Sequence, residues 1–141
     1  MTSRTHPGER FSRELDLTAD AIVSFARASG DTNPVHHDSE HAAATRFGGL
    51  IASGAQTSSL LMGFTAAHFS QTGDMLGLDF QFQFKRPVHA EQTIRLDWLV
   101  IRVRPSARLE GELVELRGRL VDASGQTAVG ARGKVLLVER L

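Results

Sequence analysis

The chain has 141 residues, of which 41% are hydrophobic, as expected for one globular domain with a core of its own. Sixteen basic and sixteen acidic residues cancel, so no overall field attracts nucleic acid or an anionic membrane. The sequence contains no cysteine, which excludes disulfides, a thiolate nucleophile and cysteine metal ligands.

Neither a targeting segment nor a membrane span is predicted. The first ten residues, MTSRTHPGER, lack the apolar core of a signal peptide. The most apolar stretch, LLMGFTAA, is too short to cross a bilayer. We therefore expect a cytoplasmic protein that binds neither nucleic acid nor a membrane. No repeat or linker-like run divides the chain, and we place residues 1–141 in a single domain.

The first half of the chain reads as a strand followed by three helical segments. Alternating Phe11, Leu15 and Leu17 predict a first strand. Thr18 is the predicted N-cap of a helix that ends at Gly30. A short helix is expected over residues 39–46. The Ser53 and Gln56 pair has the spacing of a capping box and predicts a helix over residues 54–70. This third helix is apolar on nearly every side and should be buried.

From Gly73 onward the hydrophobic period changes to two, which predicts consecutive strands. In the first of these strands Phe80, Phe82 and Phe84 form a stripe that is expected to face the core, although acyl chains also bind against such surfaces. The segment at residues 99–101 breaks the alternation and indicates a bulge, and residues 122–125 read as a hairpin turn. The predicted strands cover residues 76–84, 93–103, 109–121 and 127–138. A long buried helix followed by antiparallel strands predicts an α+β fold, with a curved sheet wrapped around the helix.

Between the first two helices the sequence SGDTNPVHHD places two carboxylates and two imidazoles around one Asn-Pro turn. The segment GDTNPVH, residues 30–36, resembles the signature Gly-Asp-x-Asn-Pro-aliphatic-His of the MaoC-like hydratases, the (R)-specific enoyl-CoA hydratase family. Similarity extends to the sequence Ala-Ser-Gly at residues 52–54 and to Phe-Lys-x-Pro-Val at residues 84–88. The resemblance covers nearly the whole chain and implies the hotdog fold.

By this resemblance, Asp31 and His36 are the catalytic pair of a reversible hydratase that converts trans-2-enoyl thioesters into (R)-3-hydroxyacyl thioesters. Hydration needs a base for the water and a proton for the α-carbon, and two groups that titrate at different pH can share these tasks. The family needs no metal and no other cofactor. Its substrates are acyl thioesters of coenzyme A or acyl carrier protein, used in fatty-acid metabolism and related pathways. The resemblance to this family also implies a homodimer in which two sheets are joined edge to edge.

Four further residues are expected at the site, three in supporting roles and Gly54 as a third catalytic residue. Pro34 fixes one backbone angle, and Asn33 can bond nearby backbone, so both would hold the pair in position. Ser53 would cap the buried helix. The family places an oxyanion donor at the backbone N–H of the glycine that matches Gly54, where a side chain would block close approach. The alternative is that Gly54 is small only because helix and sheet pack closely there.

Several alternatives remain at this level. Asp and Asn before Pro are also common turn formers. His37 and His41 are four residues apart, but a capping or solvated role is favoured over metal binding, and Asp38 or Ser39 should cap the short helix. Many family members carry His-Gly where this chain has Ser-Gly, which leaves the preferred substrate open. A thioesterase on the same fold and a non-catalytic acyl-CoA-binding protein are the rival functions.

Five of the arginines in or next to the predicted strands form one more group without an assigned role. They lie on the polar sides of their strands, where they either form a charged solvent face or include a clamp for coenzyme A phosphates. These are Arg102, Arg104, Arg117, Arg119 and Arg132.

Overall fold

Five antiparallel strands form one sheet in the computed structural model, which describes residues 3–141. Residues 1 and 2, which the one-domain prediction included, lie outside this range. The strands are β1 (Arg10–Leu17), β2 (Asp74–Phe84), β3 (Gln92–Ser106), β4 (Gly111–Val121) and β5 (Thr127–Val138). Their order is β1-β3-β4-β5-β2, so β1 and β2 are the edges. The helices are α1 (Ala19–Ser29), α2 (Ser39–Ala43) and α3 (Gly54–Phe69), with a 3-10 turn at Pro34–His36. The predicted α+β class is confirmed.

Helix α3 packs against one face of the sheet and forms the core with it. Leu61 and Phe64 of the helix belong to the same buried cluster as Leu96 and Trp98 of β3. The Trp98 indole N–H donates a hydrogen bond of 3.0 Å to the Leu61 carbonyl, which ties the sheet to the helix backbone. A Cβ on Gly118, the cross-strand neighbour of Trp98, would lie 2.5 Å from the indole ring, so this position has to be glycine. Full burial of each large side chain contributes about 1.5–3 kcal/mol.

The prediction that α3 is buried on nearly every side is wrong for the described chain. One face of the helix is exposed, with Met62 39% accessible and with Ala55, Ser59 and Gly63 beside it. Most of these residues are small, and hydropathy counts them as apolar although they bring little area that requires burial. No helix among residues 3–141 is long and apolar enough to cross a membrane.

Strand β2 does not follow the simple alternation of its sequence. Phe80 and Phe82 pack against the core, whereas Leu76 and Leu78 are 43% and 46% accessible. The pairing of β2 with β5 shifts register between Gly77 and Asp79, so the strand presents different faces before and after the shift. The predicted bulge in β3 is confirmed as a register shift between Val100 and Arg102.

Local signals placed most element ends correctly. The Thr18 hydroxyl accepts from the Ala21 N–H at 3.1 Å, and Gly30 ends α1 with a φ of 75°. Helix α2 ends at Ala43 rather than near residue 46, because its last turn tightens at Ala44, whose N–H bonds carbonyls within α2. Strand β4 begins at residue 111 rather than 109, since a turn precedes it in which Glu110 has a φ of 54°.

Arg4 fastens the N-terminal segment to the end of α3, a contact that the sequence did not indicate. Its guanidinium donates to the Phe69 carbonyl, to the carbonyls of Asp74 and Val138 at 2.9 Å each, and to the Thr72 hydroxyl at 3.1 Å. The positive charge therefore lies at the C-terminus of α3, where the helix dipole favours a cation. One side chain joins the first segment, the helix end, β2 and β5.

We expect Arg4→Ala to lower the free energy of unfolding by roughly 2–3 kcal/mol, because several part-buried carbonyls lose a charged donor together. Arg4→Lys should recover only part of this loss, since an ammonium group lacks the planar fork. Urea unfolding checks the prediction, with Arg108→Ala in the exposed β3–β4 turn as the matched control. Coincident unfolding curves for Arg4→Ala and Arg108→Ala would contradict it.

Candidate active site

The turn between α1 and α2 is built by short side chains that bond its own backbone. An Asp31 carboxylate oxygen, Oδ1, accepts from the Asn33 N–H at 2.9 Å, and the Asn33 side-chain oxygen accepts from the Val35 N–H at 3.4 Å. Pro34 occupies the first position of the 3-10 turn that follows. These bonds match the predicted backbone contact of Asn33, and they leave Oδ2 of Asp31 directed toward His36.

His36 is held in a single orientation by the main chain. The residue is 7% accessible, and its Nδ1 lies 2.7 Å from the Ile51 carbonyl oxygen. A carbonyl can only accept, so Nδ1 carries the proton and, in the neutral ring, Nε2 carries a lone pair. This Nε2 lies 3.7 Å from Oδ2 of Asp31. The separation is too long for a direct hydrogen bond, yet both atoms can contact one small molecule between them.

The neighbouring polar residues serve the turn itself. The His37 ring Nε2 donates to the Asp31 carbonyl, so this imidazole braces the turn. Of the two predicted caps of α2, the structure uses Asp38, whose carboxylate accepts from the N–H groups of Glu40 and His41. Within residues 3–141 no group of three or more His, Cys, Asp and Glu side chains is arranged to hold a metal ion.

The start of α3 combines a capped donor with an uncapped one. The Ser53 hydroxyl accepts from the Gln56 N–H at 3.1 Å, which is one half of the predicted capping box. The reciprocal half is not formed, because the Gln56 side-chain oxygen has no partner among the described residues although the residue is 4% accessible. The backbone N–H of Gly54, in the first turn of α3, also has no hydrogen-bond acceptor among the described residues.

His36 and Gly54 line the same cavity, which has a volume of about 360 Å³. Its other walls are largely apolar and include Phe47, Thr57 and Val88. Asp31 joins the site through its approach to His36. The fold thus brings together a carboxylate, an imidazole and a free backbone donor beside an apolar pocket of a size that suits a small ligand.

Phe84 has a different environment from the one predicted. The sequence placed it with Phe80 and Phe82 in a core stripe, but it is 57% accessible and lines the cavity instead. Its ring covers the start of α3, because a Cβ added to Gly54 would lie 3.0 Å from ring carbons of Phe84. Close packing therefore accounts for part of the need for glycine at position 54. The exposed ring is free to shift, so it does not forbid a small side chain there.

The sequence analysis did not predict that the Ile51 carbonyl orients His36. Any residue carries a carbonyl, so no side-chain pattern could have pointed to it. Phe84 did have a signal, since it opens the Phe-Lys-x-Pro-Val segment, but its period-two spacing favoured the core. A larger concavity of about 560 Å³ lies elsewhere on the sheet and includes neither Asp31 nor His36.

The chain is similar to known proteins both in sequence and in fold. The family described as "MaoC like domain" matches residues 3–124. A UPF0336 protein of Streptomyces avermitilis is 30% identical over 129 residues, covering 86% of this chain and 83% of that protein. Two solved structures superpose with a TM-score of 0.85 over 96% of this chain. One is the unliganded R-hydratase PhaJ1 from Pseudomonas aeruginosa, 24% identical with 83% of its chain covered. The other is an (R)-hydratase from A. caviae involved in PHA biosynthesis, 25% identical with 99% covered.

These matches define the class of protein: a member of the MaoC-like dehydratase family with the hotdog fold. The chain belongs to the MaoC-like domain family.

Proposed function

We propose that this protein hydrates trans-2-enoyl thioesters to (R)-3-hydroxyacyl thioesters and catalyses the reverse dehydration. The observation that carries the proposal is the approach of His36 Nε2 to Asp31 Oδ2, at 3.7 Å, where His36 lines a cavity together with Gly54. Membership of a dehydratase family and the similarity to the A. caviae (R)-hydratase support this class of reaction.

The pair is arranged to activate a water molecule. Nε2 of neutral His36 and Oδ2 of ionised Asp31 are both acceptors, so one water can donate a hydrogen to each and direct a lone pair at the β-carbon of the substrate. As the C–O bond forms, the pair takes one proton from the water. The pair then returns one proton to the α-carbon, which balances addition of water across the double bond. The Ile51 carbonyl accepts from Nδ1–H of His36, so that Nε2 is the ring nitrogen available to the water.

Electron density moves onto the thioester oxygen when water attacks the β-carbon, and this negative charge needs a donor. The Gly54 N–H meets that need because it is uncapped, lies in the cavity wall and sits at the positive end of α3. Ser53 supports it by capping the neighbouring Gln56 N–H. The apolar walls provide a surface for the acyl chain. The thioester carrier in this proposal is coenzyme A or acyl carrier protein.

Asp31→Asn and His36→Ala should each reduce hydration of crotonyl-CoA by at least about 100-fold, the scale of a lost general acid or base. Loss of absorbance of the conjugated double bond measures the rate, and circular dichroism checks the fold. His41→Ala, an exposed imidazole on α2, is the matched control and should keep wild-type activity. Full activity in either the Asp31 or the His36 variant would contradict the proposed catalytic pair.

Two further measurements with acyl-CoA separate the two rival functions. A thioesterase on this fold would release free thiol from acyl-CoA, which a thiol reagent detects and hydration does not produce. An acyl-CoA-binding protein would gain thermal stability with ligand but turn nothing over. The pairing of Asp31 with an oriented His36 favours hydration over both, because neither thiol release nor binding alone requires two acceptors that face one another.

Two substitutions of Gly54 separate the oxyanion role from packing. Gly54→Pro removes the N–H while the first helical position tolerates proline, so we expect kcat to fall on the order of 10²–10³-fold. Gly54→Ala keeps the N–H and should lose much less, provided that the Phe84 ring moves aside. Adding Phe84→Leu makes room for a Cβ, so it should restore the Ala variant but not the Pro variant. Equal losses in both single variants, both rescued by Phe84→Leu, would assign the glycine to packing.

We further propose that the protein forms a homodimer through β2. This edge strand carries exposed Leu76 and Leu78, and long apolar edges favour pairing with another strand. Leu78→Lys should therefore shift the protein toward monomer in light scattering. Ile101→Lys, which charges an exposed apolar residue on the interior strand β3, is the control and should not. A wild-type monomer with full activity contradicts the homodimer, and so does a monomer that becomes active only with a different chain.

A further inference from the structure

The segment at residues 47–52, between α2 and α3, affects the candidate active site in two ways. Phe47, Ile51 and Ala52 line its cavity. The Ile51 carbonyl also accepts a hydrogen bond of 2.7 Å from Nδ1–H of His36, which orients the imidazole. The position of this segment therefore controls both the shape of the cavity and the tautomer of His36.

A short antiparallel bridge joins the segment to residues 88–90, which follow β2. Ile51 lies opposite His89 in this bridge, and one backbone hydrogen bond lies on each side of the pair. These two bonds, of 2.8 and 3.1 Å, run from the Ala52 N–H to the Val88 carbonyl and from the Ala90 N–H to the Leu50 carbonyl. Ile51 and His89 are thus a non-hydrogen-bonded pair, whose own N–H and C=O groups point away from the facing chain. The bridge therefore directs the Ile51 carbonyl away from residues 88–90 and leaves it available to His36.

The side chain of His89 supplies a third link to the same segment. Its Nε2 lies 2.7 Å from the Phe47 carbonyl oxygen, and because a carbonyl can only accept, Nε2 carries the proton and donates it. Among residues 3–141, no other hydrogen bond reaches this carbonyl. The His89 ring therefore fixes one end of the segment at Phe47, while the backbone bridge fixes the other end at Ile51.

The loop that carries His89 is itself fastened to the sheet and to α1. The His89 carbonyl accepts from the Gln92 side-chain amide at 2.9 Å, and the Gln92 side-chain oxygen accepts from the Ala123 N–H, in the β4–β5 turn, at 2.9 Å. The Glu91 carboxylate accepts from the Ala19 N–H, at the start of α1, at 2.7 Å. Because these bonds hold the loop, His89 is a fixed point from which the 47–52 segment can be positioned.

The tautomer of His36 depends on two competing acceptors. The Asp31 carboxylate lies 3.7 Å from Nε2 and favours a proton on that nitrogen, whereas the Ile51 carbonyl, 2.7 Å from Nδ1, holds the proton on Nδ1. If the carbonyl moves away, the proton of the neutral ring moves to Nε2, which then can no longer accept a hydrogen from water. A small displacement of the segment therefore removes the acceptor that the proposed hydration needs.

We propose that His89 is a positioning residue of the candidate active site. Its hydrogen bond to the Phe47 carbonyl holds the 47–52 segment, and with it the Ile51 carbonyl, where the proton of neutral His36 stays on Nδ1. His89 is not among the described residues that line the cavity, so it acts through the segment. The effect on turnover rests on the proposed hydratase function, whereas the effect on the His36 tautomer does not.

NMR of the protein labelled with ¹⁵N-histidine tests the proposal without any turnover. The ring-nitrogen shifts report the tautomer, and His36→Ala identifies the His36 signals. At mildly alkaline pH the wild type should carry the His36 proton on Nδ1. His89→Met, which has no donor, should shift a large part of the His36 population to the Nε2–H tautomer. His89→Gln has a side chain of equal length that keeps an N–H donor, so it should retain the wild-type tautomer.

His68→Phe is the control for the loss of any histidine contact. His68 is also half-buried, and its Nε2 lies 3.0 Å from the Glu9 carboxylate, but it belongs to the last turn of α3, whereas Gly54 belongs to the first. The control variant should keep the wild-type tautomer of His36 even where its melting temperature falls.

Four results would overturn the proposal. The first is a Met variant that keeps the Nδ1–H tautomer of His36, and the second is a wild type that has the Nε2–H tautomer. The third is an equal shift in the Met and Gln variants, because the donor would then not be the cause. The fourth is unfolding of the Met variant, seen by circular dichroism, which would assign His89 to the stability of the fold.

Kinetics connect the tautomer to the proposed reaction. With crotonyl-CoA, His89→Met should lower kcat about 10- to 100-fold, because an imidazole in the wrong tautomer cannot accept a proton from water, and His89→Gln should recover most of this loss. A wild-type kcat in a Met variant whose tautomer has changed would overturn the role of His89 in turnover. If the wild type does not hydrate crotonyl-CoA while the His36 tautomer still depends on a donor at position 89, then the hydratase assignment fails and the positioning role stands.

Discussion

The packing of α3 on the sheet is the constraint on which the rest of the structure depends. The Trp98 indole bonds the Leu61 carbonyl, and Gly118 leaves space for the ring, so the helix axis is fixed relative to β3 and β4. The first turn of α3 is then fixed as well, which sets the position of the Gly54 N–H. Phe84 of β2 packs over that turn and lines the cavity, so the correct packing of α3 on the sheet also forms the cavity.

Local chemistry made much of the fold readable from sequence. Thr18 and Gly30 mark the ends of α1 through side-chain capping and a left-handed backbone, which depend only on neighbouring residues. Long-range geometry was not readable in the same way. The register shift in β2 depends on its pairing with β5, and the contacts of Arg4 join segments about as far apart as the chain allows. Hydropathy likewise treats a small residue such as Gly63 as core, whichever way it faces.

The same difference between local and long-range contacts applies to the candidate site. The spacing of Asp31 and His36 was predictable because one short turn, braced by its own side chains, brings them together. Their relation to Gly54 was not predictable from that spacing, since it requires α3 and the turn to converge on one cavity. The sequence identified the strand arginines but did not show which of them have an acidic partner. Pairing in the sheet distinguishes Arg119, which is bound to Asp97, from Arg117 and Arg132, which face each other.

The orientation of His36 has a consequence for how this site tolerates mutation. The group that holds the ring is a main-chain oxygen, and every amino acid at position 51 supplies it. A mutational scan would therefore score position 51 by the fit of its side chain and would record nothing of the hydrogen bond. Only a change to the backbone itself, such as an ester in place of the amide after residue 51, weakens that acceptor. The hydrogen bond that orients the imidazole therefore cannot be recognised from the identity of any residue in the sequence.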